Sequence, residues 1–251
     1  MNARVRILLF SCAAVFAAAQ AHAAPPVLRV KARLSAFDGT VMQLETMASR
    51  GIKAGEDFTV AVTPETRYVG TAPSSFAAIK EGAYVGAAVT EQRGGKLRAQ
   101  EIFLYADDLR GTGEGRFPEG ERLMVNGTIT AVKPTSPEDS NDGFITLHYR
   151  GAVLSNAGPN RAICEGRATP APYASALSCE ADAVIEVRPG TKVSALAVGD
   201  KDLLKPGAVV TVAMTKDPAD KTGDKNIGVG VVVEPPEPPK NGTVEKPQSS
   251  P

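Results

Sequence analysis

Tryptophan is absent from the 251 residues, histidine occurs twice and cysteine three times. Neither His-Glu-x-x-His nor Gly-x-Ser-x-Gly occurs, so zinc-hydrolase and nucleophile-elbow chemistry are not signalled. Aromatic residues make up 5% of the chain, sparse for the stacking platforms of a single-strand nucleic-acid binder. An excess of one charge is missing too. The 28 basic residues balance 28 acidic ones, whereas nucleic-acid and anionic-membrane binders carry a basic surplus. Beyond residue 23 no apolar run approaches the ~20 residues that cross a bilayer as a helix.

What is present begins with a targeting pattern. Residues 1–6 carry Arg4 and Arg6, residues 7–19 are apolar, and Ala21-His22-Ala23 sets small residues at −3 and −1 of a cleavage point. This is the layout of a secretory signal peptide, so residues 1–23 are expected to be removed and the mature chain to be periplasmic. A lipid anchor on Cys12 is the alternative, disfavoured by bulky Phe10 and the short apolar stretch before it. The mature chain would hold 26 basic and 28 acidic residues, one histidine, His148, and two cysteines, Cys164 and Cys179. In an oxidising compartment that even pair predicts a disulfide.

An internal repeat organises the remainder. Shifted by 125, residues 60–90 align without a gap on 185–215, with ten of 31 positions identical, among them Pro64 with Pro189, Gly82 with Gly207 and Val85 with Val210. Upstream, Val30, Ala32, Leu34 and Ala36 fall on Val125, Gly127, Ile129 and Ala131 at an offset of 95. The second copy therefore carries insertions, and both mature cysteines lie in one of them.

Each copy reads as short strands. Apolar residues alternate with polar ones from Leu28 to Ala36 and again from Val125 to Ala131, the period of a half-buried antiparallel strand. Asp38-Gly39 and Asp142-Gly143 are hairpin signals. Thr63-Pro64-Glu65-Thr66 predicts a tight connection, and 74–79 and 200–204 each predict one helical turn. Later strands are expected at 84–89, 97–105, 209–214 and 227–233. Five or six strands per copy suit a small closed barrel, which removes exposed edges. The expected class is all-β, two tandem OB-like barrels at 24–105 and 122–233, with a two-sheet sandwich as the alternative. Residues 106–121 read as a Gly-rich connector and 234–251 as a Pro-rich disordered tail.

The string from Ser75 to Gly86, and Leu97-Arg98-Ala99-Gln100-Glu101-Ile102 running into Leu109-Arg110-Gly111-Thr112-Gly113-Glu114-Gly115, resemble an element of exported bacterial proteins of unknown function built from OB-like β modules. The resemblance covers about residues 28–233 and implies export and an OB-like fold. Some members of that family are labelled metal ABC transporter permeases, although this chain has no set of membrane-spanning runs. Where the family has a His-Arg-Pro-Trp-Asp-like string, this chain has Arg116-Phe117-Pro118-Glu119-Gly120.

Candidate chemistry is thin. Gly111-Thr112-Gly113-Glu114-Gly115 lacks the Lys-Ser/Thr ending of a P-loop, but loops on rigid scaffolds often bind, so Arg110 and Glu114 are the expected ligand-binding pair. The acidic hairpins at 138–143 and around Asp217, Asp220 and Asp224 have alternate oxygen ligands without a closing glutamate, a loose calcium pattern. His148 reads as a solvated strand residue. No cofactor and no catalytic residue are expected. The reading is a non-enzymatic binding or assembly module whose partner is an envelope protein or a small polar ligand, with no nucleic acid. A metal- or solute-handling accessory using the acidic loops is the alternative.

Overall fold

The computed structural model describes residues 27–48, 51–119, 122–136, 141–153, 164–168 and 178–235. Apart from three single 3-10 turns, its regular elements are strands: β1 (Leu28–Phe37), β2 (Val41–Thr46), β3 (Asp57–Ser74), β4 (Tyr84–Glu91), β5 (Leu97–Tyr105), β6 (Gly115–Glu119), β7 (Arg122–Pro134), β8 (Gly143–Val153), β9 (Cys164–Arg167), β10 (Ser178–Val187), β11 (Lys192–Gly199), β12 (Val209–Lys216) and β13 (Asn226–Glu234). The all-β expectation is met. The helical turns expected at 74–79 and 200–204 are the 3-10 turns Phe76–Ala78 and Lys201–Leu203. Asp200 starts the second, its carboxylate accepting from the Asp202 N–H at 2.7 Å.

All thirteen strands join one continuous sheet, and its pairings contain two closed rings. The first runs β1–β2–β3–β13–β12 and back to β1. The second runs β7–β8–β10–β5–β4 and back to β7. In each ring one contact is parallel, β3 with β13 and β10 with β5, and the rest are antiparallel. Period-two alternation fills each ring with its own core. Leu34, Met42, Leu44, Val60, Val210 and Val231 pack in the first. Val85, Ile102, Ile129, Ile145, Leu147 and Ile185 pack in the second.

The rings do not follow the expected boundary between 24–105 and 122–233. Strands β4 and β5 of the first copy close on β7 and β10 of the second, while β12 and β13 of the second copy close on β1 and β3 of the first. The second ring is thus built from a contiguous stretch, 84–187, inserted between the two parts of the first. The departure starts at residues 63–66. At Thr63–Thr66 the expected tight connection becomes a bulge, and β3 continues for 18 residues in one direction. Across that bulge Val62 and Arg67 pair with Gly228 and Gly230. The Thr66 hydroxyl accepts from the Thr63 N–H at 2.9 Å and donates to the Gly228 carbonyl at 2.6 Å, which pins the bulge without turning the chain. Carried past its own ring, β3 then pairs with β11, from Tyr68 with Gly199 to Ser74 with Val193.

The connector 106–121 is structured where it is described. A 3-10 turn, Asp107–Leu109, leads to β6, a strand the sequence reading lacks, which pairs with β7 and with β9. The leader 1–23, Cys12, most of the tail 234–251 and much of the 150–180 insertion lie outside the described residues. No helix among the described residues is long and apolar enough to cross a membrane.

Candidate functional site

Strands β8 and β10 pair antiparallel from Gly143 with Val187 to Ala152 with Ser178. Ile145, Leu147, Tyr149, Ala183 and Ile185 point inward and are buried. The alternate residues point outward, and two of them are large and apolar: Phe144 is 47% exposed and Val184 58%. Beside this face stands the five-residue β4–β5 hairpin, 92–96. It turns through Gly94 and Gly95 at φ of 81° and 76°, a region that a side chain would disfavour.

Between hairpin and face lies a cleft of about 560 Å³, lined by Lys96, Arg98, Arg116, Phe144, Val184 and Arg188 together with Asp182 and Glu186. That volume suits a small ligand or a short chain segment. Its charges are partly internally matched. Glu186 accepts from Arg188 Nε at 2.8 Å and Arg98 Nε at 3.1 Å, and these bonds hold its carboxyl below the usual carboxylate range. Asp182 Oδ1 lies 2.9 Å from His148 Nδ1, and Glu180 stands 3.6 Å from the other ring nitrogen. Arg116 reaches Glu91 at 3.3 Å, and its buried Nε lies 3.9 Å from Glu165, too far for a hydrogen bond, with no hydrogen-bond acceptor among the described residues. No carboxylate pairs with Lys96 among the described residues. The lining itself holds four cations against two carboxylates.

Arg110 and Glu114, the expected pair, face different partners. Arg110 Nη2 donates to the Gly82 carbonyl at 3.0 Å and meets Asp107 at 3.2 Å. Glu114, its side chain 12% exposed, accepts from the Arg150 backbone N–H at 3.1 Å and from Nε at 3.0 Å, and also from Nη2. The two flank Tyr84, whose hydroxyl donates to the Thr112 carbonyl at 3.1 Å. Burial first, then the Glu114 charge, pushes that phenol far above its ordinary value. The glycine-rich turn itself is held by Asn126, whose Nδ2 donates to the Gly113 carbonyl at 2.9 Å. It works as a structural clamp joining β4, β7 and β8.

Cys164 and Cys179 are bridged, as expected, with Cα atoms 5.6 Å apart. A Cβ on Gly151 of β8 would sit 3.2 Å from Cys164 Sγ, so the bridge fits over a glycine. In the hairpin 217–225 both Asp220 oxygens serve the loop. Oδ1 accepts from the Thr222 N–H and hydroxyl, and Oδ2 from the Asp224 and Lys225 N–H groups at 2.9 and 2.7 Å. These bonds, the Lys225 N–H foremost, lower its carboxyl to about 2. Among the described residues no three His, Cys, Asp or Glu side chains converge as a metal site, and 137–140 of the other acidic hairpin lie outside them.

The cleft residues were mostly missed by sequence reasoning. One signal was available: Phe144 and Val184 are apolar residues on the polar phase of their strands. Comparison with protein-family models, curated proteins and solved structures finds no match.

Proposed function

We propose that this chain is an exported, non-enzymatic binding module made of two OB-like barrels, with its ligand site in the cleft between β8, β10 and the 92–96 hairpin. Strands are numbered by their counterparts in the repeat, so that the second ring counts from β7 through β8 and β10 to β4 and β5 and is circularly permuted along the chain. Both rings then have the cyclic order 1-2-3-5-4, with a parallel contact between the third and fifth. That is the pairing scheme of an OB barrel, whose ligands rest on strands 2 and 3 beside the loop joining strands 4 and 5. In the second ring those parts are β8, β10 and residues 92–96. The observation that carries the reading is the exposure of Phe144 and Val184 inside that cleft, flanked by cations. Large apolar side chains on an outer strand face gain when a ligand covers them. The Cys164–Cys179 bridge supports an oxidising, periplasmic destination for the product of the leader. The ligand is a small polar molecule or a segment of an envelope protein, and no cofactor is required.

The test is a thermal-shift panel of envelope oligosaccharides and short peptides on the mature chain, run beside Phe144→Ser. A ligand is expected that raises the Tm of the wild type and leaves the variant unmoved. Hits indifferent to Phe144→Ser would place binding elsewhere.

A further inference from the structure

We propose that the cleft takes an extended acidic peptide, which adds as a strand to the open edge of β10. The inference rests on the cleft being the binding site and specifies what enters it.

On one side β10 pairs with β8 along its whole length. On the other, β5 joins it only at Ile185 and Glu186. Just before that contact β5 turns away into the 92–96 hairpin, so residues 180–184 have no described strand beside them. Alternate N–H and C=O groups of this edge, of which 182–184 line the cleft, are presented at strand spacing, a template for β-augmentation.

The repeat supplies a comparison inside the same molecule. In the first ring the corresponding edge, 57–60 of β3, also precedes its parallel partner, because β13 joins at Ala61. There the hairpin before the partner strand has nine residues, 217–225, rather than five. Asn226, at its exit, donates from Nδ2 to the Thr59 carbonyl at 3.3 Å, occupying an edge acceptor. In the second ring the hairpin is shorter and, among the described residues, no strand pairs with this side of 180–184. One copy engages the edge through its own Asn226, and the edge of the other is the one assigned to a second chain.

Charge and apolar surface specify the peptide. Lys96, with no carboxylate partner among the described residues, stands with Arg98 and Arg188 at the end where β5 joins, and the arginines' shared carboxylate, Glu186, is already held by both. Acidic side chains at that end complete the pairing. Val184 and Phe144 receive an apolar side chain from the same strand. An acidic oligosaccharide could meet the cations, but it lacks the regular N–H and C=O groups that the edge offers.

The test begins with selection of seven-residue peptides from a displayed random library on the intact mature chain. The best peptide is then measured by fluorescence anisotropy. Acidic and apolar residues are expected to dominate. N-methylation of alternate peptide amides is expected to weaken binding by about tenfold or more in one register and leave the other register unchanged. Lys96→Glu is expected to weaken it, and replacing 92–96 with the 217–225 sequence to abolish it. Should that graft fail to unfold cooperatively, Lys96→Glu, on an exposed turn, carries the comparison. Equal tolerance of both N-methylated registers, or binding that survives Lys96→Glu or a folded graft, overturns the inference. Selection of no peptide, with oligosaccharides binding in a Phe144-dependent way, overturns it and leaves the cleft reading standing. If no ligand of any kind responds to Phe144→Ser, both fall.

Discussion

Thr71 of β3 stands directly opposite Leu196 of β11, and Leu196 is its own counterpart 125 residues further along the repeat. A ladder in which a residue faces its own copy has a local two-fold axis through that pair. Contacts on either side are images of each other. Arg67 pairs with Gly230 as Lys192 pairs with Glu101. The bulge between Ala88 and Val89 recurs between Ala213 and Met214, and that between Leu34 and Ala36 recurs between Ile129 and Ala131. The duplication is folded around the crossing of β3 and β11, and the copies exchange their last two strands.

Exchange of that kind predicts how the chain behaves when cut. A protease site placed at 120–121 would yield two fragments, and each ring contains strands from both. The cleaved protein is expected to co-elute as one species on size exclusion and to separate only in denaturant. Barrels confined to separate halves of the sequence would part on cleavage.

The insertion of one ring into the other predicts that it can be removed. Ala72 and Ala195 lie opposite each other, so joining them through Asn-Gly replaces 73–194 with a two-residue hairpin turn. The shortened chain retains β1, β2, β12, β13 and the first core. Cooperative urea unfolding with a β-type circular dichroism spectrum is expected. A non-cooperative, unfolded product would show that the first ring depends on the second.

The Cys164–Cys179 bridge closes a loop of sequence separation 15. Replacing both cysteines by serine is expected to cost about 3 kcal/mol in denaturant unfolding. The loss should fall on the second ring, where Cys164 is part of the core. Hydrogen exchange at β8 and β10 should therefore rise, with β1 and β12 unchanged.

Asp220 predicts an acid transition of the 217–225 hairpin. Its carboxyl is lowered from 3.8 to about 2, so the stabilisation of the folded loop is full above the unfolded value near 3.8 and disappears as pH falls through about 2. Amide exchange at Asp224 and Lys225, whose N–H groups it accepts, should accelerate across that window. Asp220→Asn should accelerate the same two amides at neutral pH and abolish the acid transition.

Much of the local structure was legible. The strand expected at 97–105 is β5 at its observed ends, and the repeat itself foretold equivalent strands and turns. Strand β6 was not legible, because five residues containing Pro118 have weak β character alone. It forms because β7 and β9 offer it partners on either side. At Arg110 and Glu114 the glycine-permissive turn was visible, but Arg150, which engages Glu114, arrives from a strand 36 residues away. Lys96, Arg98, Arg116 and Arg188 come from separate strands and turns and meet only where the second ring closes.

The sequence alone determined that this chain is all-β, where several of its strands lie, that its two parts repeat one another, and that Cys164 and Cys179 belong together. Those properties follow from alternation, turn residues and composition, which act over a few residues at a time. Which copy each strand pairs with was decided only in three dimensions. Strands β4 and β5 have the same apolar period as β12 and β13, so either partner satisfies the local pattern equally. The choice goes with whether the chain reverses or runs straight at Thr63–Thr66, and the straight course is held there by partners far off in sequence, the Thr66 hydroxyl bonding the Gly228 carbonyl 162 residues away.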